Sequence, residues 1–127
     1  MIDVEEIMDM IDWHMPPEIQ ARGISLAKDI ETIIPFIQPL TPRYNKNVWE
    51  NCAAIIADKT DEQLKPYLID LLEWLQDMNW PGADLIFQRL KEMPWEFVRL
   101  PYEISCKLAN QTNDVVWLAV LENFYKN

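Results

Sequence analysis

Glycine and proline occur in proportions that limit the folds open to this chain. There are 2 Gly and 9 Pro among 127 residues. Hairpin turns and phosphate-binding loops need glycine because their backbone enters conformations with positive φ. The composition therefore disfavours a β-sandwich, a β-barrel, a P-loop fold and a dinucleotide-binding fold. An all-α fold fits best, and a chain of this length with 50 % hydrophobic residues predicts a single domain over 1–127.

Apolar residues recur at helical spacing in about seven segments. The first runs over 4–11 and stops at Pro16-Pro17, and a second begins there and keeps one apolar face to Ile37, with breaks at Pro35 and Pro39. Residues 38–47 are predicted to form a loop. The third segment, over 48–56, is apolar on most sides, which is typical of a helix packed between neighbours.

The second half begins with the clearest helix signal. Thr60-Asp61-Glu62-Gln63 has capping-box spacing and precedes an apolar stripe that reaches Met78. A further helix is predicted from Ala83 to Met93, followed by a connection bracketed by Pro94 and Pro101. Two more helices, over 102–110 and 114–125, complete the chain, with Thr112 or Asn113 placed to cap the last.

A repeated corner suggests how these helices are arranged. Trp13, followed by Pro16-Pro17, is echoed by Trp80 and Pro81, and the two Trp are 67 positions apart. That spacing corresponds to about two helix-turn-helix units of ~33 residues. The repeat predicts an α-α superhelix of helices in antiparallel pairs. The two Trp are interpreted either as wedges that fill the stacking interface or as partner contacts.

Negative charge is concentrated in the two segments that carry this corner. Lys and Arg number 11 against 21 Asp and Glu, a net charge of -10 with a pI near 4.4, which argues against binding nucleic acid or an anionic membrane. Residues 1–21 hold six acids and no Lys or Arg, and residues 61–87 hold six acids and one Lys. Either this is a solvated helix face, or it forms an acidic edge that binds a basic protein. The candidate partner-binding residues are Asp9, Asp12, Trp13, Asp77, Asn79, Trp80 and Asp84.

No motif points to catalysis or to a cofactor. His14 is the only histidine, so no metal site and no oriented base for a nucleophile is expected. Cys52 and Cys106 lie in apolar segments without Cys-x-x-Cys spacing, which favours buried reduced thiols, although a disulfide between them stays open. Glu73 and Asp77, four residues apart, are the carboxylate pair that an acid–base enzyme would use.

The chain lacks the sequence features of secretion and of membrane insertion. Residues 1–6 hold no basic n-region, and the longest apolar run, Val115 to Leu121, is far shorter than the ~20 residues of a spanning helix. We therefore expect a cytoplasmic protein.

Three segments carry a resemblance to a known family. They are Ile11-Asp12-Trp13-His14-Met15-Pro16, Trp49-Glu50-Asn51-Cys52-Ala53 and the run from Leu71 to Ala83, which includes Trp-Leu-Gln-Asp-Met-Asn-Trp-Pro-Gly-Ala. Together they resemble a bacterial family of small HEAT-like helical-repeat proteins of uncharacterised function. The resemblance covers residues 5–95, whereas 100–127 hold no matching motif. It implies a HEAT/armadillo-like fold and, since similar proteins are immunity proteins that neutralise toxins, a protein-binding role.

Three functions follow as hypotheses. The first is a non-catalytic interaction module, of an immunity or antitoxin type, that docks a basic partner as a monomer or weak dimer. The second is a small enzyme with carboxylates in the groove of the superhelix. The third is a structural homo-oligomer whose exposed Trp residues form the interface.

Overall fold

The computed structural model describes residues 3–126, and the regular structure of that part is helical throughout. The helices are α1 (Val4–Met10), α2 (Pro17–Leu26), α3 (Lys46–Ala57), α4 (Asp61–Leu64), α5 (Leu68–Glu73), α6 (Ala83–Lys91), α7 (Trp95–Gln111) and α8 (Val115–Lys126). Short 3₁₀ turns occupy Ala27–Asp29, Ile34–Phe36, Lys65–Tyr67 and Trp74–Gln76. Because α4 and α5 join with two of these turns into one stretch over 61–76, the described part holds seven helical rods. The predicted all-α fold is confirmed for these residues.

The predicted helix starts are set by local hydrogen bonds. Pro17 is the first residue of α2, where its missing N–H costs nothing. Thr60 and Gln63 form the predicted capping box, in which the Thr60 hydroxyl accepts from the Gln63 amide at 3.2 Å and the Gln63 side chain accepts from the Thr60 amide at 3.0 Å. Pro66 then changes the rod from α to 3₁₀ for one turn.

The prediction that the second helix continues to Ile37 is wrong. α2 ends at Leu26, and one 3₁₀ turn follows before the backbone becomes extended at Ile30. The Lys59 ammonium, which follows α3, donates to the carbonyl oxygens of Ala27, at 2.8 Å, and of Ile30. A charged donor from the neighbouring helix thus replaces the turn that would have continued α2.

The predicted connection between Pro94 and Pro101 is also wrong. α7 begins at Trp95, directly after Pro94, and passes through Pro101 without ending. Proline in a helix removes one backbone hydrogen bond and disfavours helix by about 3 kcal/mol. Burial of Val98 and Ala109, which lie on the core side of α7, offsets that cost.

The cap of the last helix lies one residue beyond the predicted position. The Asp114 carboxylate accepts from the Trp117 amide at 3.0 Å, so Asp114 caps α8. Thr112 instead donates its hydroxyl to the Leu108 carbonyl at 3.0 Å and so closes the end of α7. Asn113 has a φ of 55° and turns the chain between the two helices.

Helices α2, α3 and α6 lie side by side and run in the same direction. At their starts, the Glu50 carboxylate of α3 accepts from the Gly82 amide, which precedes α6, at 2.9 Å. At their ends, Arg89 of α6 donates to the carbonyl of Ala57 at 3.0 Å. Lys59 joins the end of α2 to the end of α3 in the same way. We call α2, α3 and α6 the stack.

The other helices complete the layer arrangement. Rod 61–76 packs on α7 through α5, and α7 pairs with α8. The α7–α8 pair is antiparallel, because the ring of Trp95 at the start of α7 lies 5.5 Å from the ring of Tyr125 near the end of α8. α8 also reaches the stack, where the rings of Phe124 and Phe87 meet edge to face at 5.6 Å.

The structure decides between the two states that the sequence left open for the cysteines, reduced thiols or a disulfide. Cys52 and Cys106 are both free, the first fully buried and the second half-buried, and burial raises the pKa of the Cys52 thiol. The disulfide alternative is therefore wrong.

Within residues 3–126, no helix combines the length and the apolar character needed to cross a membrane. No group of three or more His, Cys, Asp and Glu side chains in that range is placed to hold a metal ion.

Candidate interaction edge

The two corners found in the sequence form turns of the same type, with the same backbone hydrogen bonds. In the first, the Asp12 carboxylate accepts from the His14 amide at 2.9 Å and the Asp12 carbonyl accepts from the Met15 amide at 2.9 Å. In the second, the Asp77 carboxylate accepts from the Asn79 amide at 2.8 Å and its carbonyl from the Trp80 amide at 3.0 Å. Aspartate favours such turns because its side chain bonds the backbone two residues further on.

This geometry corrects the alignment of the two corners. Asp12 corresponds to Asp77 and Pro16 to Pro81, which is a separation of 65 residues in both cases. Trp13 is the second residue of its turn, whereas Trp80 is the fourth. The two Trp are therefore not equivalent, although the turn that holds them is.

Trp13 presents its ring to solvent from a fixed backbone. Its side chain is half exposed, at 50 %. The Trp13 amide donates to the Asn47 carbonyl at 2.9 Å, and the Gln20 side chain donates to the Met15 carbonyl at 2.6 Å. The ring meets the His14 ring edge to face at 6.2 Å. Met15 is exposed beside it, so the turn displays an apolar surface that the polar contacts hold in place.

Trp80 is partly buried and packs against the core. Its ring packs edge to face on Trp49 at 5.8 Å, and Trp49 packs on the fully buried Trp74 at 6.1 Å. The Trp74 indole donates to the Pro81 carbonyl at 3.1 Å. Of the two interpretations, the structure thus places Trp13 at the surface and Trp80 in the stacking interface.

Gly82 allows the second turn to approach the stack so closely. Its φ is 87°, and a Cβ added there would lie 2.6 Å from the Ala53 side chain and 2.8 Å from the Trp49 carbonyl. Only glycine tolerates both the backbone conformation and the contact. Asn79, inside this turn, and Asp84, in the first turn of α6, are both exposed.

The candidate acidic residues Asp9 and Asp12 have different hydrogen-bond partners. Asp9 accepts from the Tyr44 hydroxyl at 2.7 Å and from the Arg43 guanidinium at 2.8 Å, and Arg43 also reaches Glu5 at 3.3 Å. Desolvation and the hydrogen bond to Asp9 raise the pKa of Tyr44 to about 12. Partial burial favours the neutral form of Asp12, but hydrogen bonds from the His14 amide and the Asn47 side chain outweigh it and lower the pKa of Asp12.

The first turns of α3 connect the two corners. The Asn47 side-chain amide donates a hydrogen bond to the Asp12 carboxylate at 2.9 Å, and the Trp49 ring packs edge to face on the Trp80 ring. We define the interaction edge as the turn over 12–15, the start of α3 over 47–51 and the turn over 77–82. It contains five of the seven candidate residues, and Asp9 and Asp84 lie on the helices that adjoin it.

The residues that build this edge were missed in the sequence. Asn51 donates to the Ile11 carbonyl and to the Gln20 side chain, both at 2.8 Å, and so joins α1, α2 and α3. Asn47 and Asn51 are four residues apart on a helix that also carries six buried apolar residues. Two amides on one face of a buried helix are the signal that could have identified them, since such groups need internal partners.

Glu73 and Asp77, the carboxylate pair proposed for an enzyme, lie in different surroundings. Asp77 uses its carboxylate within its own turn. Burial, and then the neighbouring Asp70, raise the pKa of Glu73. A pocket of about 510 Å³ lies elsewhere, between the ends of α6 and α8 and the start of α7, and its described lining holds no carboxylate.

Comparison with known protein families gives one match. A family model described as "Domain of unknown function (DUF5071)" matches residues 40–127. The matched range includes the C-terminal part in which the sequence offered no motif, and it contains the second turn but not the first. Searches of curated proteins and of solved structures found no match.

Proposed function

The chain belongs to the DUF5071 family. We propose that it is a non-catalytic protein-binding module that docks a basic partner on the interaction edge. The observation that carries the proposal is Trp13, half exposed on a backbone fixed by Asn47 and Gln20. Exposed aromatic rings that are held in place are frequent anchors of protein interfaces, because little conformational entropy is lost when they are buried.

The charge around Trp13 supports a basic partner. Residues 1–21 hold six acids and no Lys or Arg, and Arg43, which reaches this segment from the loop before α3, pairs with Glu5 and Asp9. Glu6 and Glu18 of the same segment are exposed. An acidic field speeds association with a cationic surface and makes it sensitive to salt.

The hydrogen bonds of the stack support the proposal of a HEAT-like α-α superhelix. Lys59 reaches back 32 residues to Ala27, Arg89 reaches back 32 residues to Ala57, and Gly82 reaches back 32 residues to Glu50. A nearly constant separation is expected when units of about 30 residues stack on one another.

The identity of the partner follows from the resemblance rather than from the contacts. Since the family that the sequence resembles includes immunity proteins, we propose that the chain acts in the cytoplasm and neutralises a basic toxin by covering its surface. It would do so as a monomer or weak dimer.

Self-association is a second candidate, favoured by α7. Leu100, Ile104 and Leu108 recur every four residues on that helix and are all exposed, Leu100 by 60 %. Light scattering over a concentration series decides this candidate, because a mass that stays at one chain at every concentration contradicts it. A carboxylate enzyme is the weaker alternative, since Asp77 of its proposed pair uses its carboxylate within its own turn.

Affinity capture with matched variants tests the leading proposal. Wild-type protein, Trp13→Ala and the control Trp95→Ala are each used to capture proteins from lysate of the source cells at low and at high salt. Trp95 is 42 % exposed but lies far along the chain from the edge. We expect one stoichiometric basic protein, released by high salt, with wild type and Trp95→Ala only. Equal recovery with Trp13→Ala, or the absence of a basic partner, contradicts the proposal.

A further inference from the structure

A pocket lies at the opposite ends of the helices from the interaction edge. It is the pocket of about 510 Å³ bordered by Lys91 at the end of α6, Trp95 at the start of α7, and Phe124 and Tyr125 near the end of α8. Pockets of about 300–1,000 Å³ accommodate small organic molecules.

The floor and walls of this pocket are apolar. Leu90, Met93 and Val98 form the floor and are buried in the core. Trp95 and Tyr125 form the walls and expose 42 % and 63 % of their surface. Their ring centres lie 5.5 Å apart with an angle of 57° between the planes, so a flat group would find two aromatic faces.

A buried layer of contacts holds the aromatic walls in place. Tyr102 packs on Trp95 at 5.5 Å and stacks on Tyr125 at 5.8 Å. Its hydroxyl donates to the Leu121 carbonyl at 2.8 Å, which fixes the ring against α8. The site is therefore formed before any ligand arrives, and binding would cost little ordering of side chains.

Lys91 gives the pocket its charge preference. It is the only charged residue in the described lining. Its ammonium donates to the Phe124 carbonyl at 2.9 Å and lies 5.5 Å from the centre of the Phe124 ring. An ammonium has three donor hydrogens, so two remain for a ligand. A cationic guest would be repelled here, whereas a carboxylate would gain a charge-assisted hydrogen bond.

We propose that this pocket binds a small aromatic carboxylate, with the ring packed against the exposed surfaces of Trp95 and Tyr125 and the carboxylate on Lys91. The proposal does not depend on the function assigned to the interaction edge, because the two sites share no residue.

Three probes with one skeleton test the charge preference. Indole-3-propionate, its amide and the corresponding amine are titrated into the full chain by calorimetry, and the bound site is mapped by NMR shifts of the Leu90, Met93 and Val98 amides. We expect the carboxylate to bind about tenfold more tightly than the amide. Tighter binding of the amine, or no binding of the carboxylate at millimolar concentration, overturns the proposal.

Two variants separate the roles of charge and ring. Lys91→Met keeps the apolar stem and should abolish the difference between carboxylate and amide, while Lys107→Met, on an exposed position of α7, should leave it unchanged. Trp95→Ala should weaken carboxylate and amide by the same factor. If Lys91→Met unfolds the chain, Trp95→Ala and Tyr125→Ala still decide, since undiminished binding in both contradicts the assigned pocket. Loss of partner capture by Trp13→Ala with intact probe binding distinguishes the two sites.

Discussion

The turn at Asp12 and the turn at Asp77 have the same backbone hydrogen bonds but opposite surroundings. The first is held by polar side chains, mainly Asn47 and Gln20, and leaves Trp13 exposed. The second is held by ring packing, with Trp80 on Trp49 and Gly82 pressed against Ala53. A short polar turn motif thus fixes the local backbone, whereas the residues around it decide whether the turn serves packing or recognition.

The family model covers one of the two turns and not the other. The turn at Asp77 lies inside the matched range of 40–127, and the turn at Asp12 lies outside it. The two turns can be separated by variants, because one should respond to loss of apolar contact and the other to loss of polar contact.

Removal of the two Trp rings should give the largest difference. Trp80→Ala takes away a partly buried ring that packs on Trp49 and should lower the free energy of unfolding by about 3 kcal/mol. Trp13→Ala should lower it by less than about 1.5 kcal/mol, because half of the side chain is already exposed to solvent. Urea unfolding followed by circular dichroism measures both. Equal losses for the two variants would remove the distinction.

The two glycines provide the next test. Gly82→Ala should destabilise the chain by about 2–3 kcal/mol, since the new methyl group meets the Ala53 side chain and the positive φ is strained. Gly23→Ala should cost less, because its contacts with the side chains of Ile11 and Met10 are not combined with a strained φ and alanine favours the helix. Thermal unfolding of the two variants gives the ranking. A larger loss for Gly23→Ala would show that contact matters more than backbone conformation.

Acid should weaken the first turn through Asp12. Its folded pKa is lowered from an ordinary value of 3.8, so its stabilisation is complete above that value and disappears as the pH falls through the folded pKa. Asp12→Asn should therefore cost about 1–2 kcal/mol at pH 6 and distinctly less at pH 2, once the wild-type carboxyl is protonated as well. Denaturant titrations at the two pH values measure the difference. A cost that does not depend on pH would contradict the role of the charge.

The smallest effect is expected at Arg43. Arg43→Gln breaks exposed ion pairs with Glu5 and Asp9 and should cost less than about 1 kcal/mol, with no effect at high salt. Unfolding measured at low and high salt checks this. A cost above that range, or one that salt leaves unchanged, would mean that the guanidinium acts through packing on Tyr44 instead.

Much of this architecture is predictable from local sequence, because its signals are local. Pro17, the Thr60–Gln63 box and the apolar face of α3 all act within a few residues, and each prediction is confirmed. The errors arise where a distant contact decides. Lys59 ends α2 from 32 residues away, and core packing carries α7 through Pro101. For the candidate edge, the sequence identified both turns but not their unequal packing, since that depends on which rings of α3 lie beneath them.

The ties that Lys59, Arg89 and Glu50 make between neighbouring helices have a kinetic consequence. Each joins residues only 32 apart in the chain, so each closes a loop of the same modest length. The entropy of closing a loop grows with its length, and chains dominated by short-range contacts fold quickly. Folding of this protein can therefore start at any adjacent pair of helices and spread in both directions, without waiting for the two ends of the chain to meet.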